Sequence, residues 1–278
     1  MKKKINLTVI IPVHTTEIEN FNEFIKNAVD SINQNDVAPE YIMIVAPKKD
    51  KNILEEFGAI KSIETSEIKF IFLTNDGPTD FASQMNFAVS KVETEYFSFL
   101  EFDDEYSRSW FRNVDKYFAE YPEISAFLPI VSDVNSEKQF LGYTNEIAWA
   151  YEFTDKHGII DADTLKEYPN FNPDGLVMRV ADFIRIGGYK PSIKLSFNLE
   201  FLLRACDQSA QIMVIPKIGY QHMNMRPESL FWHYKNGDNK LSVEEATFWM
   251  ETAKKEFYYI DDRKIEYNPT EEDEITKK

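Results

Sequence analysis

The sequence predicts an α/β fold with a mostly parallel sheet flanked by helices. Runs of β-branched and aromatic residues alternate with apolar stripes at helical spacing, which is the pattern of βαβ units. Polar or Gly/Pro-containing turns close several of the runs. One run, residues 97–106 (FSFLEFDDEY), changes abruptly from bulky apolar side chains to three carboxylates, Glu101, Asp103 and Asp104.

Residues 7–13 read as a central strand, and Ile18, Phe21, Ile25, Ala28, Val29 and Ile32 stripe the helix that packs back on it. Strands follow at 41–45 and 69–73, the first ended by Pro47 and the second by the Asn75-Asp76-Gly77-Pro78 turn. Phe81, Met85, Ala88, Val89 and Val92 mark the next helix, and the strand entering the acid cluster comes after it. A short helix is expected at 110–119 and a strand at 126–131. Residues 132–173, with clustered Asn, Asp, Tyr and Trp, read as a surface-forming insertion. Beyond them come a helix at 180–186 stopped by Gly187-Gly188, a helix carrying Phe197, Phe201 and Ala205, and a strand at 211–215 closed by Pro216. Ala246, Trp249, Met250, Ala253 and Phe257 stripe a C-terminal helix, and the charged tail PTEEDEITKK is expected to fray. The division implied is a domain over 1–240, in halves 1–104 and 105–240, followed by a helix and tail over 241–278.

Composition narrows the function classes. Twenty-two Phe and fourteen Tyr against nine Gly indicate a packed core. A net charge of −16 disfavours bulk binding to nucleic-acid backbone, which needs a basic footprint. The single cysteine, Cys206, excludes an intramolecular disulfide and fits a reducing compartment. No apolar stretch reaches membrane-spanning length. The opening MKKKINLTVIIPVH is read as a first core strand rather than a leader, because its apolar run is short and contains Pro12. A cytoplasmic location is the expectation.

Carboxylates as close as Glu101, Asp103 and Asp104 repel one another unless solvent or a cation takes up the charge. They stand at the carboxyl end of a strand, where open α/β sheets bind ligands. Either a solvated acidic turn or a ligand site satisfies the pattern. Further along, the chain places Asn75-x-Gly77 with Ala82 and Asn86, then Ile186-Gly187-Gly188-Tyr189. FNLEFLLR follows at 197–204, and Ile218-Gly219-Tyr220-Gln221-His222 precedes Arg226.

Taken in order, these segments resemble nucleotide-sugar glycosyltransferases of the GT-A fold, close in pattern to family 2, over about residues 7–226 with the insertion uncovered. The Asn-x-Glu and Gly-x-x-His spacings are similar to the polypeptide N-acetylgalactosaminyltransferases. The resemblance implies a divalent metal, manganese or magnesium, held by Asp103 and His222. Glu101 would stand in for the first Asp of the D-x-D pattern, with Asp104 as the acid after it. Asn75, Gly77, Gln84 and Asn86 would line the donor pocket, and Arg226 would fold over the donor. Asn198 and Glu200 would sit on the sugar and acceptor side. Partners so implied are a nucleotide-sugar donor and an acceptor glycan, protein or modified nucleobase.

Two departures shape the expectation. Val45-Ala46-Pro47-Lys48-Lys49 replaces the family's base-reading acid, leaving backbone at Pro12, Val13 and His14 to read the nucleobase, so the donor need not be a uridine nucleotide. Phe197-Asn198 replaces the Glu-Asp of inverting members, and an amide is no general base. Retention is therefore the expected outcome. Asn198 equally suits a helix N-cap, His222 and Arg204 equally suit structural pairing, as does Arg179, and Trp232 reads as lid or satellite core. Lys48, Lys49 and Lys51 read as a solvated loop or a phosphate contact. Two other functions fit the same pattern: a nucleotidyltransferase, and a degenerate transferase that binds glycans. Asp103, at a strand end facing solvent, is expected to add little to stability.

Overall fold

The computed structural model describes residues 2–14, 19–50, 66–150, 153, 156–224, 226–227, 229–237 and 240–256. Ile18, Thr15, Thr16, Glu17, Lys51, Met225, Phe257 and the charged tail lie outside them, so the readings made of those positions do too.

Among the described residues, ten strands form one sheet. The first half is β1 (Lys3–Pro12), β2 (Val37–Pro47), β3 (Lys69–Asn75) and β4 (Tyr96–Phe99). The second half is β5 (Glu105–Tyr106), β6 (Ala126–Val134), β7 (Phe140–Thr144), β8 (Ile159–Ile160), β9 (Val177–Arg179) and β10 (Ile212–Met223). Their order is β3-β2-β1-β4-β9-β6-β10-β5, with β7 on β6 and β8 on β10. β1, β2, β3 and β4 run parallel, and β6 and β10 run parallel. Short β9 lies antiparallel between β4 and β6, so all six main strands point one way and their carboxyl ends share one edge.

The main helices are α1 (Phe21–Asn33), α2 (Phe81–Val89), α3 (Trp110–Glu120), α4 (Ala162–Glu167), α5 (Val180–Ile186), α6 (Phe197–Asp207), α7 (Leu230–Asn236) and α8 (Val243–Glu256). Among the described residues, no helix is long and apolar enough to cross a membrane. α1 and α3 cover one face of the sheet, burying Phe21, Ile25, Trp110 and Phe111. α2, α5, α6 and α8 cover the other, burying Met85, Phe183, Phe201 and Trp249. Two apolar layers on one sheet follow directly from strands that are hydrophobic on both sides.

The 211–215 strand does not stop at Pro216. β10 continues to Met223, and its register against β6 shifts between Val214 and Ile218, so the proline occupies an irregularity where no ladder hydrogen bond is lost. That continuation carries Tyr220 and His222 to the carboxyl edge. The insertion at 132–173 contains the end of β6, β7, β8 and α4. The Gly187-Gly188 stop is as expected: both have left-handed φ, 93° and 67°. A Cβ on Gly188 would also lie 2.5 Å from Asn86 Oδ1, which ties that glycine to the clip described next.

Candidate active site

One cleft of about 640 Å³ opens at the carboxyl edge of the sheet, and Glu101, Asp103, Asp133, Asp174 and His222 all line it. β4 delivers the first acids, β6 delivers Asp133, and β10 delivers His222 beside it, since His222 and Asp133 are register partners. Asp174 comes from the Asn172-Pro173-Asp174-Gly175 turn that leads into β9. Its backbone N–H donates to Asn172 Oδ1 at 2.9 Å.

Asp104 is buried and heavily bonded. Tyr220 Oη donates to its Oδ2 at 2.9 Å, and the Met223 N–H donates to its Oδ1 at 2.7 Å. The same tyrosine hydroxyl accepts the Glu101 N–H at 3.0 Å, which locks the acid turn to β10. His222 Nδ1 lies 3.2 Å from a carboxylate oxygen of Asp104 and 3.2 Å from one of Asp174. The three ligand atoms fall within 4.8 Å of one another.

Electrostatics follow from this crowding. Burial, then Asp174, Asp104 and Asp103, hold Glu101 well above the usual carboxylate range. Burial raises Asp104 to about 6 although His222 opposes the rise, and burial raises Asp174 and Asp133 as well. Burial alone would lower His222, but Asp104, Asp174 and Glu101 outweigh it and hold the imidazole well above its ordinary value. The cluster is thus short of positive charge, and a divalent cation or an imidazolium relieves it.

Asp103 is not in the Asp104–Asp174–His222 group. Arg226 Nε donates to its Oδ2, and both side chains are buried. The guanidinium also lies over Phe102 at 5.5 Å and Phe24 at 5.8 Å. This corrects the expectation of a solvent-facing carboxylate with little structural role. Asp103→Ala leaves Arg226 buried without its partner, so a loss of about 3 kcal/mol is expected in denaturant unfolding. An unchanged midpoint would remove that reading of the pair.

Other positions expected at the donor pocket serve the scaffold. Asn75 folds on its own turn, accepting the Gly77 N–H at 2.9 Å and donating to Pro78 O at 2.9 Å. Asn86 clips α2 to the diglycine turn, accepting from Tyr189 N and donating to Tyr189 O. Gln84 Nε2 donates to Val13 O at 3.0 Å, and the Val13 N–H donates to Val45 O at 2.8 Å. Backbone at Val13 is therefore already committed and Pro12 has no N–H, which leaves His14, in the cleft against Phe102, as the one of the three that faces it. None of Asn75, Gly77, Gln84 and Asn86 lines the cleft.

Glu200 is corrected in the same way. It is fully buried, accepting from Arg204 Nε at 2.8 Å and Nη2 at 2.9 Å, with Lys190 Nζ at 3.1 Å. Arg204 in turn donates to the carbonyls of Ile186 and Gly188. The acid holds the diglycine turn to α6 and does not line the cleft. Asn198 does line the cleft. It is no N-cap, because α6 begins at Phe197 with Ser196 in the capping position. Arg179 bonds Ile124 O inside the fold, Lys48 pairs with exposed Asp76, and Trp232 is not in the cleft wall, where Phe231 stands instead.

Asp133, Asp174 and Tyr220 went unread in the sequence. Asp174 had a local signal, an acid in an Asn-Pro-Asp-Gly turn before the apolar Leu176, Val177 and Met178. A three-residue strand is too short to show a period.

Comparison with known proteins agrees with this architecture. The family model described as glycosyl transferase family 2 matches residues 8–185. No curated protein matches the chain. Among solved structures, S. aureus TarS 1–349 superposes with a TM-score of 0.59 at 13% identity, covering 93% of this chain and 81% of that one. TarS 1–349 in complex with UDP-GlcNAc gives 0.55 at 15% identity, covering 92% and 71%. A longer S. aureus TarS structure gives 0.53 at 18%, and there the chain spans 43% of its length. At such identities the likeness is one of fold.

Proposed function

Because the chain belongs to glycosyl transferase family 2, we propose that its cleft moves a sugar from a uridine-diphosphate donor to an acceptor hydroxyl with a divalent cation at the acid edge. Transfer from a nucleotide sugar follows from the family. The uridine donor rests on the fold shared with TarS, whose structure holds UDP-GlcNAc. The observation that carries the metal is the convergence of Asp104, Asp174 and His222. Carboxylate oxygens and an imidazole suit manganese or magnesium.

Asp104, Asp174 and His222 would hold the ion. When bound, it supplies charge neutralisation to the departing diphosphate. Asp103 fixes Arg226, whose planar guanidinium suits phosphate oxygens. Glu101 extends the acid edge toward the donor, and His14 presents its ring to the nucleotide side. Asn198 contributes hydrogen bonds on the sugar and acceptor side, without taking a proton.

Retention remains the reading that the missing Glu-Asp suggests. A second outcome is favoured by Asp133, whose carboxylate lines the cleft and has no ion pair among the described residues. A carboxylate so placed can accept the acceptor's proton, and direct displacement then inverts the anomeric centre.

The test is release of nucleoside diphosphate from UDP-GlcNAc, UDP-glucose and GDP-mannose, with manganese and with EDTA. Release is expected from the uridine donors and only with metal. Equal release in EDTA would remove the cation, and no release from any donor would remove the proposed chemistry. The anomeric configuration of the product, read by NMR, decides between retention and inversion.

A further inference from the structure

We infer that Tyr220 is a positioning residue for the cation site: its hydroxyl fixes the carboxylate of Asp104 beside His222 and Asp174, where the ion would be held. This rests on the metal reading above. β10 supplies one of the three candidate ligands, His222, and it also supplies two donors that hold another. Tyr220 Oη donates to Asp104 Oδ2 at 2.9 Å, and the Met223 N–H donates to Asp104 Oδ1 at 2.7 Å. These donors flank His222 on the same strand. An Asp carboxylate otherwise turns through a broad torsional well. One bond to each of its oxygens fixes the plane, and the imidazole and the carboxylate are presented as a unit.

The direction of the tyrosine's proton is not free. The Glu101 N–H reaches the same phenolic oxygen at 3.0 Å. A backbone N–H can only donate and an ionised carboxylate can only accept, so the single phenolic proton points at Asp104. Replacing the hydroxyl by hydrogen removes a bond from the ligand and releases the acid turn from β10 at once.

The ring that carries this hydroxyl is held as firmly. Tyr220 is fully buried, and Tyr106 meets it edge-on with ring centroids 5.4 Å apart. Gly175 closes the other side: a Cβ there would lie 2.6 Å from Tyr220 Cδ2. Gly175 follows Asp174, so the turn that brings the third ligand packs against the same ring. Tyr220 is therefore bonded to one ligand, two residues from the second on the same strand face, and packed beside the turn of the third. Such outer partners orient metal ligands and are nearly as important to affinity as the ligands themselves.

Manganese titrated into the full chain, with free ion read by electron paramagnetic resonance, tests this in Tyr220→Phe, which keeps the ring and removes only the hydroxyl. The manganese Kd is expected to rise about 10- to 100-fold, and the manganese-induced rise in Tm should shrink in step. In release of UDP from UDP-GlcNAc, the manganese concentration for half activity should rise by the same factor. kcat at saturating manganese should stay close to that of the parent, because the hydroxyl does not touch the reacting atoms. Tyr106→Phe is the control. It removes a neighbouring buried hydroxyl bonded instead to Ser98 Oγ at 2.6 Å and Phe99 O at 2.7 Å, and should leave the manganese Kd unchanged.

An unchanged Kd in Tyr220→Phe overturns the inference, and so does an equal rise in Tyr106→Phe, since loss of any buried hydrogen bond would then explain the effect. A parent that binds no manganese removes the cation and this inference with it. A parent that binds manganese as tightly as Tyr220→Phe overturns only the role of Tyr220 and leaves the metal reading standing.

Discussion

His222→Ala is expected to lose at least about a hundredfold in manganese-supported transfer, the scale seen when a preorganised charge-stabilising group is removed. Its second signature does not depend on turnover. Manganese should raise the Tm of the parent and leave the variant unmoved, because only a state that binds a ligand is stabilised by it. Asp174→Asn should behave alike, since its carboxylate lies 3.2 Å from the same imidazole nitrogen. In metal-free protein the effect has a defined pH course. His222 is raised in the fold, so its contribution is fully present below about pH 6.5 and fades as pH rises through the raised value. The Tm gap between parent and His222→Ala should therefore be widest in mild acid and close toward alkaline pH. An equal manganese shift in parent and variant would remove His222 from the metal site.

The second large effect is on stability. Glu200→Ala deletes an acid that is fully buried between Arg204 and Lys190. Buried Arg204 is left without its carboxylate, and removing one partner of a buried pair costs about 3–5 kcal/mol. For a chain of this size that is a fall in Tm of roughly 6–15 °C. The folded fraction should keep its kcat, since Glu200 lies behind the diglycine turn and not in the cleft. Intact stability with lost turnover would restore Glu200 to the acceptor side.

These two residues illustrate what the chain's pattern determined and what waited for the fold. Strand and helix periodicity sufficed for the α/β architecture, because residues buried on both faces of a sheet, and on one face of a helix, repeat at fixed local spacing. The acid run after β4 and the diglycine turn were legible for the same reason: each is a contiguous signal. The Asn-x-Glu spacing was legible too, but its meaning was not. Whether Glu200 faces substrate or Arg204 depends on how α6 is rotated against the diglycine turn, which no local pattern encodes.

The partners of the acids were decided by tertiary structure alone. Asp103 and Asp104 are neighbours in the chain, yet one pairs with Arg226 and the other with His222, Tyr220 and the Met223 backbone. Their division follows from β10 running past Pro216 to bring Tyr220 and His222 to the edge. Asp174 reaches the same point because β9, three residues long, inserts antiparallel between β4 and β6. Charge type and strand-end position were written in the sequence. Which carboxylate meets which cation was set by strand order and register, where contacts spanning more than a hundred residues are made.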